Sequence, residues 1–284
     1  MLIENKNPTM EGDGAAMREG ILEGEKVGAA ADLKSDPDFM TSLARGLSVM
    51  QAFTRTSPRL SSAQISMKTG LSRAAVRRCL YTLNQLGFVE VADGKYFSLG
   101  ARVLTLSHAY TSSSSLPKAA QPILEKLSGV LYESCSVATL DNDDLLYVAR
   151  AHVSRIMTVD LVIGSRLPAY CTSMGRVLLA HLPEGELEDY LRRVTLQRHT
   201  SRTIVSVSKL RKVLEDVERS GYAIVDQELE DGLRSVAVPV KAGDIVVAAM
   251  NVGTQAQRMP VEEIESRFLP HLLSAAQQLS QSLR

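Results

Sequence analysis

Between Arg59 and Phe97 the chain reads RLSSAQISMKTGLSRAAVRRCLYTLNQLGFVEVADGKYF, and no other stretch restricts the fold as much. Ser61 stands three residues before Gln64. In that S-x-x-Q pattern a hydroxyl and an amide satisfy orphan N–H groups at a helix start. A short helix follows with Ile65 inward, and Gly70 ends it, since glycine takes positive φ without strain. Ser72 caps a second helix. On it Val76, Cys79, Leu80, Leu83 and Leu86 recur at helical spacing and form one apolar stripe. The opposite face carries Ala74, Arg77, Arg78, Tyr81 and Gln85, with Arg73 at its edge. Gly87 stops the helix. Phe88–Val91 and Lys95–Leu99 then read as strands around Asp93-Gly94, a hairpin signal. A cap, a helix, a glycine turn, a capped basic helix and a hairpin in this order predict a winged helix-turn-helix. Ser72, Arg73, Ala74, Arg77, Arg78, Tyr81 and the hairpin's Lys95 are the candidates for DNA contact. Small residues at the helix start permit close approach to a groove, and arginines bind phosphates or guanine edges. The plain alternative is a solvated basic helix in some helical domain.

Charge is distributed in a way that favours the first reading. The chain of 284 residues has formal net charge zero. Yet residues 41–100 hold 8 basic and 2 acidic residues, net +6, while residues 1–40 hold 4 basic and 9 acidic, net −5. The positive charge sits on the segment already read as DNA-binding. The length suits about two domains.

Residues 1–38 are rich in Gly, Ala, Glu and Asp and read as a flexible acidic tail, with a short helix near Ala15–Leu22. The winged helix-turn-helix domain is expected over 39–99. Thr41-Ser42 would cap its first helix, running to about Phe53 with Leu43, Leu47, Met50 and Phe53 inward, and Ser57-Pro58 would close it. Residues 100–116 are expected to be a linker: an apolar helix over Ala101–Tyr110, then a polar run, Ser112 to Ser115. Residues 117–284 read as a second domain. It has a helix over Pro117–Tyr132, with Ile123, Leu124, Leu127 and Leu131 inward. Strands follow over Cys135–Leu140 and Leu145–His152, around an Asp/Asn turn, and over Ile156–Ile163. Helices over Met174–His181, Glu184–Val194 and Leu210–Ser220 come next. Strands over Tyr222–Glu228, Ser235–Lys241 and Ile245–Val252 precede one long terminal helix over Pro260–Leu283. Hairpins flanked by helices imply an α+β domain with a mainly antiparallel sheet.

Other chemistries find little support. Cys79, Cys135 and Cys171 are isolated, without a C-x-x-C, as suits a reducing compartment. His108, His152, His181, His199 and His271 do not pair at metal-ligand helical spacing. No metal or cofactor is expected. G-x-G-x-x-G, Walker A and G-x-S-x-G patterns are absent. Glu228, Glu230 and Asp231 imitate a carboxylate cluster but read as a solvated run near a turn. There is neither a secretory leader pattern nor an apolar run long enough for a bilayer, so a cytoplasmic protein is expected, without membrane contact.

The blocks ARGLSVMQAF, LSSAQISMKTGLSRAAVRRCLYTLNQLGFVE, LPAYCTSMGRVLLAHL, GYAIVDQELEDGLRSVAVPV and AAMNVGT resemble the IclR family of bacterial transcription regulators, from about Thr41 to the C-terminus. Their wording is similar to the subgroup that regulates protocatechuate, 4-hydroxybenzoate and β-ketoadipate catabolism. The resemblance implies a homodimer or tetramer that binds a double-stranded DNA operator through winged helices. It also implies a C-terminal domain for a small organic acid effector. Carried over by position, the effector pocket would comprise Ser173, Met174, Asp226, Ser235 and Asn251. The family pattern has serine where Asn251 stands. The local chemistry agrees at Ser173-Met174-Gly175, which opens a helix, where exposed N–H groups suit a carboxylate. Ser173 also reads as a simple N-cap, and Arg176 either adds charge to the pocket or faces solvent. Two rival functions stand beside this one: a small-molecule hydrolase or transferase with a basic docking module, and a structural DNA binder without an effector.

Overall fold

The structure, a computed structural model, describes residues 36–153 and 161–283. It divides into two compact units between Thr111 and Ser112. Most of the expected acidic tail, with its short helix, lies outside the described residues.

The first unit begins with α1 (Thr41–Gln51), which starts at Met40 without a side-chain cap. The expected Thr41-Ser42 cap is therefore not formed. Phe53 is buried and Met50 packs against the core as expected, but Leu43 and Leu47 are exposed, and Val49 is buried in their place. After β1 (Leu60–Ser61) comes α2 (Ser62–Thr69), with the full Ser61/Gln64 capping box and Gly70 at φ 69°. Helix α3 (Arg73–Gln85) opens at Ser72, whose hydroxyl accepts from the Ala75 N–H. It closes in a Schellman motif: the Gly87 N–H bonds Asn84 O and the Phe88 N–H bonds Leu83 O, with Gly87 at φ 75°. Leu86 falls outside the helix and is exposed, not part of the stripe. Val76, Leu80 and Leu83 pack with Val49, Phe53, Leu60, Ile65 and Val89 into one small core. Strands β2 (Val89–Ala92) and β3 (Tyr96–Leu99) form the wing around Asp93 and Gly94, both at positive φ. Lys95 sits in the turn, not in the strand. β3 also pairs with β1, a short strand that sequence reading missed.

Helix α4 (Val103–Ser113) has no buried residue. The serine run is not an extended linker. Ser114 is the N-cap of α5 (Ser115–Leu131), so the two helices nearly abut.

The second unit holds β4 (Ser134–Asp141), β5 (Asp144–Ala151) and β6 (Arg166–Pro168). Then come α6 (Ser173–Ala180), α7 (Glu184–Arg193) and α8 (Val207–Ser220). Next are β7 (Ala223–Asp226), β8 (Leu233–Ala242) and β9 (Ile245–Gln255), then α9 (Val261–Arg267) and α10 (Leu269–Ser282). The expected strand over Ile156–Ile163 lies mostly outside the described residues, and Leu161–Ile163 are not in a strand. The expected terminal helix is two helices that break at Phe268. Pro270 cannot supply an amide to a continuous ladder. The six strands run β6-β5-β4-β9-β8-β7, antiparallel throughout, giving the expected α+β class.

Strand alternation gives this sheet two unlike faces. On one, Cys135, Val137, Val236, Val238, Val240, Met250 and Val252 pack against α5 and α10 as the main core. Burying each large aliphatic there contributes about 1.5–3 kcal/mol. The other face carries Ser136, Ala138, Ser235, Ala237, Ala249 and Asn251, all small or polar. Helix α6 packs across it, against β8 and β9 in particular, and every residue of α6 is buried. The approach is close: a Cβ on Gly175 would stand 2.1 Å from Ala169 O. No described helix is long and apolar enough to cross a membrane.

Candidate functional site

In the first unit the caps at Ser61 and Ser72 fix where α2 and α3 begin, so the outer face of α3 is set by local chemistry. Ser72, Arg73, Ala74, Arg77, Arg78 and Tyr81 are all exposed, Tyr81 at 69%. Among the described residues, the guanidinium groups of Arg73, Arg77 and Arg78 make no hydrogen bond or ion pair. Three uncompensated cations on one helix face form a site for phosphates or base edges. Lys95 is exposed on the wing turn. Arg59 and Asp93 join the wing to β1 at 2.6 Å, both well exposed, a contact of small energetic weight.

In the second unit Thr172, not Ser173, is the N-cap of α6: its hydroxyl accepts from the Gly175 N–H at 3.3 Å. Ser173 is thereby released from the capping role. Its Oγ is buried, with the residue 1% exposed, and has no hydrogen-bond partner among the described residues. On β9 the Oδ1 of Asn251, a residue 9% exposed, is likewise buried without a partner. The first N–H groups of α6 open the helix without an intrahelical acceptor. Buried polar atoms are nearly always satisfied, so Ser173 Oγ and Asn251 Oδ1, with Tyr190 Oη a further such atom in the same domain, each mark a place where a ligand or water supplies the missing bond. Met174 is buried beside Ser173, and Ser235 is half-buried on the same face of the sheet as Asn251.

Asp226 departs from the expected set. Its cross-strand neighbour is Arg234, and Ile224, two residues earlier on β7, packs into the main core. Asp226 therefore points to the face opposite Ser235 and Asn251. Its carboxylate is bound by Arg234 (Nη2–Oδ1 2.6 Å) and by Arg202. Two arginines neutralise it, which leaves little capacity for a ligand.

Arg176 neither faces solvent nor offers a free charge. It is 3% exposed; its Nε donates to Tyr170 O at 3.0 Å, and its Nη2 lies 2.7 Å from Glu228 Oε2. Glu228 also accepts from the Ile204 N–H at 3.0 Å. Glu228 is thus a buried structural anion and not a member of a solvated run. Beside α6, Tyr170 Oη donates to Gln197 O and meets His199 Nε2 at 2.9 Å.

Two polar side chains on the site face escaped the sequence reading. Ser136 stands opposite Asn251 in the β4–β9 register and opposite Arg150 in the β4–β5 register. Arg150 Nη1 donates to Ser136 Oγ at 3.0 Å. The available signal was a polar residue set within each apolar strand, Ser136 in SCSVATL and Arg150 in LLYVARA. An open groove of about 310 Å³ between α5 and the end of β5 is also lined by Arg150. Nucleophilic chemistry has no support here: burial, first among the causes, pushes the Cys171 thiol up to about 12, so it stays protonated. Among the described residues no group of three or more His, Cys, Asp or Glu is placed to hold a metal.

Comparison with known proteins accords with both halves of this geometry. Residues 42–93 match the IclR helix-turn-helix domain, and residues 108–281 match the bacterial transcriptional regulator IclR C-terminal domain. The Pca regulon regulatory protein of Pseudomonas putida is 52% identical over 250 residues, 87% of this chain and 86% of that protein. The crystal structure of a candidate transcriptional regulator from Rhodococcus sp. RHA1 is 47% identical with TM-score 0.74, covering 86% of this chain and 98% of that one. The inducer-binding domain of a PobR double mutant from Acinetobacter, solved with 3-hydroxybenzoic acid, is 30% identical with TM-score 0.55. It covers 58% of this chain and 97% of its own. These are regulators, not hydrolases or transferases, and the chain belongs to the IclR family of bacterial transcriptional regulators.

Proposed function

We propose that this protein is a cytoplasmic regulator of aromatic-acid catabolic genes. Its C-terminal domain binds a small organic acid around Ser173, Met174, Ser235 and Asn251, and its winged helices hold operator DNA. The observation that carries the reading is the pair of buried, unpartnered polar atoms, Ser173 Oγ and Asn251 Oδ1, on one side of the sheet. The likeness to a Pca regulon regulator and to a hydroxybenzoate-binding inducer domain supports the choice of acid class. A second copy is part of the proposal, as dimer or tetramer. Helix α4 exposes Leu104, Leu106 and Tyr110, and α1 with its N-cap exposes Met40, Leu43 and Leu47, more apolar surface than a lone small domain leaves bare. The effector changes DNA binding only by as much as its affinity differs between the two arrangements of the assembly.

Calorimetry of the full chain with protocatechuate, 4-hydroxybenzoate and β-ketoadipate tests this. At least one acid is expected to bind, and Ser173→Ala is expected to weaken it by about 1–3 kcal/mol. The same variant should leave effector-free operator affinity nearly intact. Binding of none of the three rejects the acid class. A bound acid located away from Ser173 and Asn251 rejects the site.

A further inference from the structure

Helix α4 has no buried residue, so packing along its length does not set its direction. It is held to the winged helix at its start. The Gly100 N–H bonds Phe88 O at 2.8 Å, and a Cβ on Gly100 would stand 2.7 Å from Gly87 O, so only glycine fits there. Two residues on, Arg102 reaches back to the end of α3. Its Nη1 donates to Leu86 O at 2.8 Å, and its Cζ lies 5.4 Å from the centre of the Phe88 ring. Its stem passes over Gly87, where a Cβ would stand 3.6 Å from Arg102 Cδ.

The end of a helix leaves carbonyls without an intrahelical donor and carries partial negative charge. The Schellman turn after α3 satisfies Leu83 O and Asn84 O. The last turn of α3 holds no basic residue of its own. The cation that completes this end comes instead from the start of α4, sixteen residues beyond the carbonyl it binds. Phe88, beneath that cation, packs against the small core that contains Leu83. The guanidinium thus joins α4 to α3 through a hydrogen bond, a ring contact and the helix dipole.

We infer that Arg102 is a positioning residue: it caps α3 from α4 and makes the two helices one body, so that a second copy held on α4 fixes where each α3 meets DNA. The inference rests on the second-copy reading above, since Leu104, Leu106 and Tyr110 are exposed on this same helix. A hydrogen bond from a charged group together with an exposed cation–π contact is worth about tenfold in an equilibrium constant. A change of that size is what the joint can impose on the choice of half-site spacing.

The test uses the full-length protein and an operator selected by it from random DNA. Two further duplexes carry a single half-site, or the two half-sites moved apart by a few base pairs, which also turns one about the DNA axis. The wild type is expected to lose affinity on the moved sites. Arg102→Ala is expected to keep the single-half-site affinity, while its preference for the native spacing shrinks about tenfold. Arg102→Lys keeps the charge but not the planar contact with Phe88 and should fall between. In amide exchange, Gly87 and Phe88 should exchange faster in Arg102→Ala, with Val76 and Leu80 unchanged.

A spacing preference in Arg102→Ala equal to that of the wild type overturns the inference, whether or not overall affinity falls, because a purely structural role weakens all duplexes alike. Unchanged exchange at Gly87 and Phe88 also overturns it. If Arg102→Ala does not fold, Arg102→Lys and Arg102→Gln decide: both at the wild-type preference overturn it. A dimeric wild type that accepts every spacing sinks this inference and leaves the second-copy reading standing. A wild type that sediments as a monomer on its operator sinks both.

Discussion

Met250 and Asn251 are neighbours on β9, and both are buried, yet their surroundings are opposite. Met250 is fully enclosed among valines and the aliphatic side chains of α5 and α10. Asn251, one residue on, turns to a face of serines and alanines and keeps an unpartnered oxygen. The main-core face is saturated, with apolar atoms meeting apolar atoms at a density that leaves no unmet demand. The site face is stabilised less by area than by particular contacts: Thr172 on Gly175, the Gly175–Ala169 approach and the Arg176–Glu228 pair. It retains groups whose bonds are incomplete. On the reading proposed above, a sheet built this way separates the work of holding the fold from the work of receiving a ligand, within the same strands.

The comparison breaks most visibly at the ion pair. Glu228→Ala leaves Arg176 as a buried cation with no counter-charge and should cost about 3–5 kcal/mol in urea unfolding. A loss under 1 kcal/mol would mean that α6 is held by packing after all, and that the two faces are built alike. The paired substitutions on β9 come next. Met250→Ala should destabilise by about 2–5 kcal/mol through lost burial and a residual cavity. Asn251→Ala removes an oxygen that makes no bond and should leave ligand-free stability unchanged or slightly higher, while effector binding falls. Equal stability losses in the two variants would refute the division of labour.

Helix α3 repeats the division on a smaller scale. Val76, Leu80 and Leu83 face the core, and Arg77 and Arg78 face away without partners among the described residues. If either arginine reads a base, its alanine variant should lose about 1–3 kcal/mol and relax one operator position. A phosphate contact should instead weaken all sequences and lower the salt slope by about one. Folding stability should barely move in either case. Full operator binding by the double variant would remove α3 from the interface.

How much of this was readable follows from where the determinants lie. The helix-turn-helix was legible because its signals are local: the Ser61/Gln64 box, Gly70, Ser72, Gly87 and Asp93-Gly94 each act within a few residues. Helix α1 was misread because apolar residues stand on two of its faces, and periodicity does not say which one meets the core. β1 was invisible because two residues carry no pattern and exist as a strand only through β3. At the proposed site, Ser173 and Asn251 were reached through resemblance, and in the structure Ser173 Oγ and Asn251 Oδ1 are buried without partners among the described residues. Asp226 failed because one step along a strand reverses the face. Arg176 was ambiguous because its partner, Glu228, lies fifty-two residues away in sequence. Long-range pairing of this kind leaves no local trace.

The smallest expected effect concerns pH and belongs to the site face alone. His199 stacks on Tyr170, ring centroids 6.1 Å apart, and Tyr170 leads into α6. Burial lowers the His199 pKa from its ordinary value of 6.5. In the unfolded chain the imidazole protonates at its ordinary value, but in the folded chain it resists protonation until a lower pH. Folding therefore has its full His199 contribution above about pH 6.5 and loses it as the pH falls through the folded value. Removing the titration should flatten that limb. Urea midpoints of the wild type and His199→Gln, compared between about pH 8 and about pH 5, should converge toward the acid end, with the wild type falling more steeply. The background from carboxylates is common to both proteins and cancels in the difference. Parallel curves would show that the ring is solvated at the α6 entry, and that the site face has no proton sensitivity of its own there.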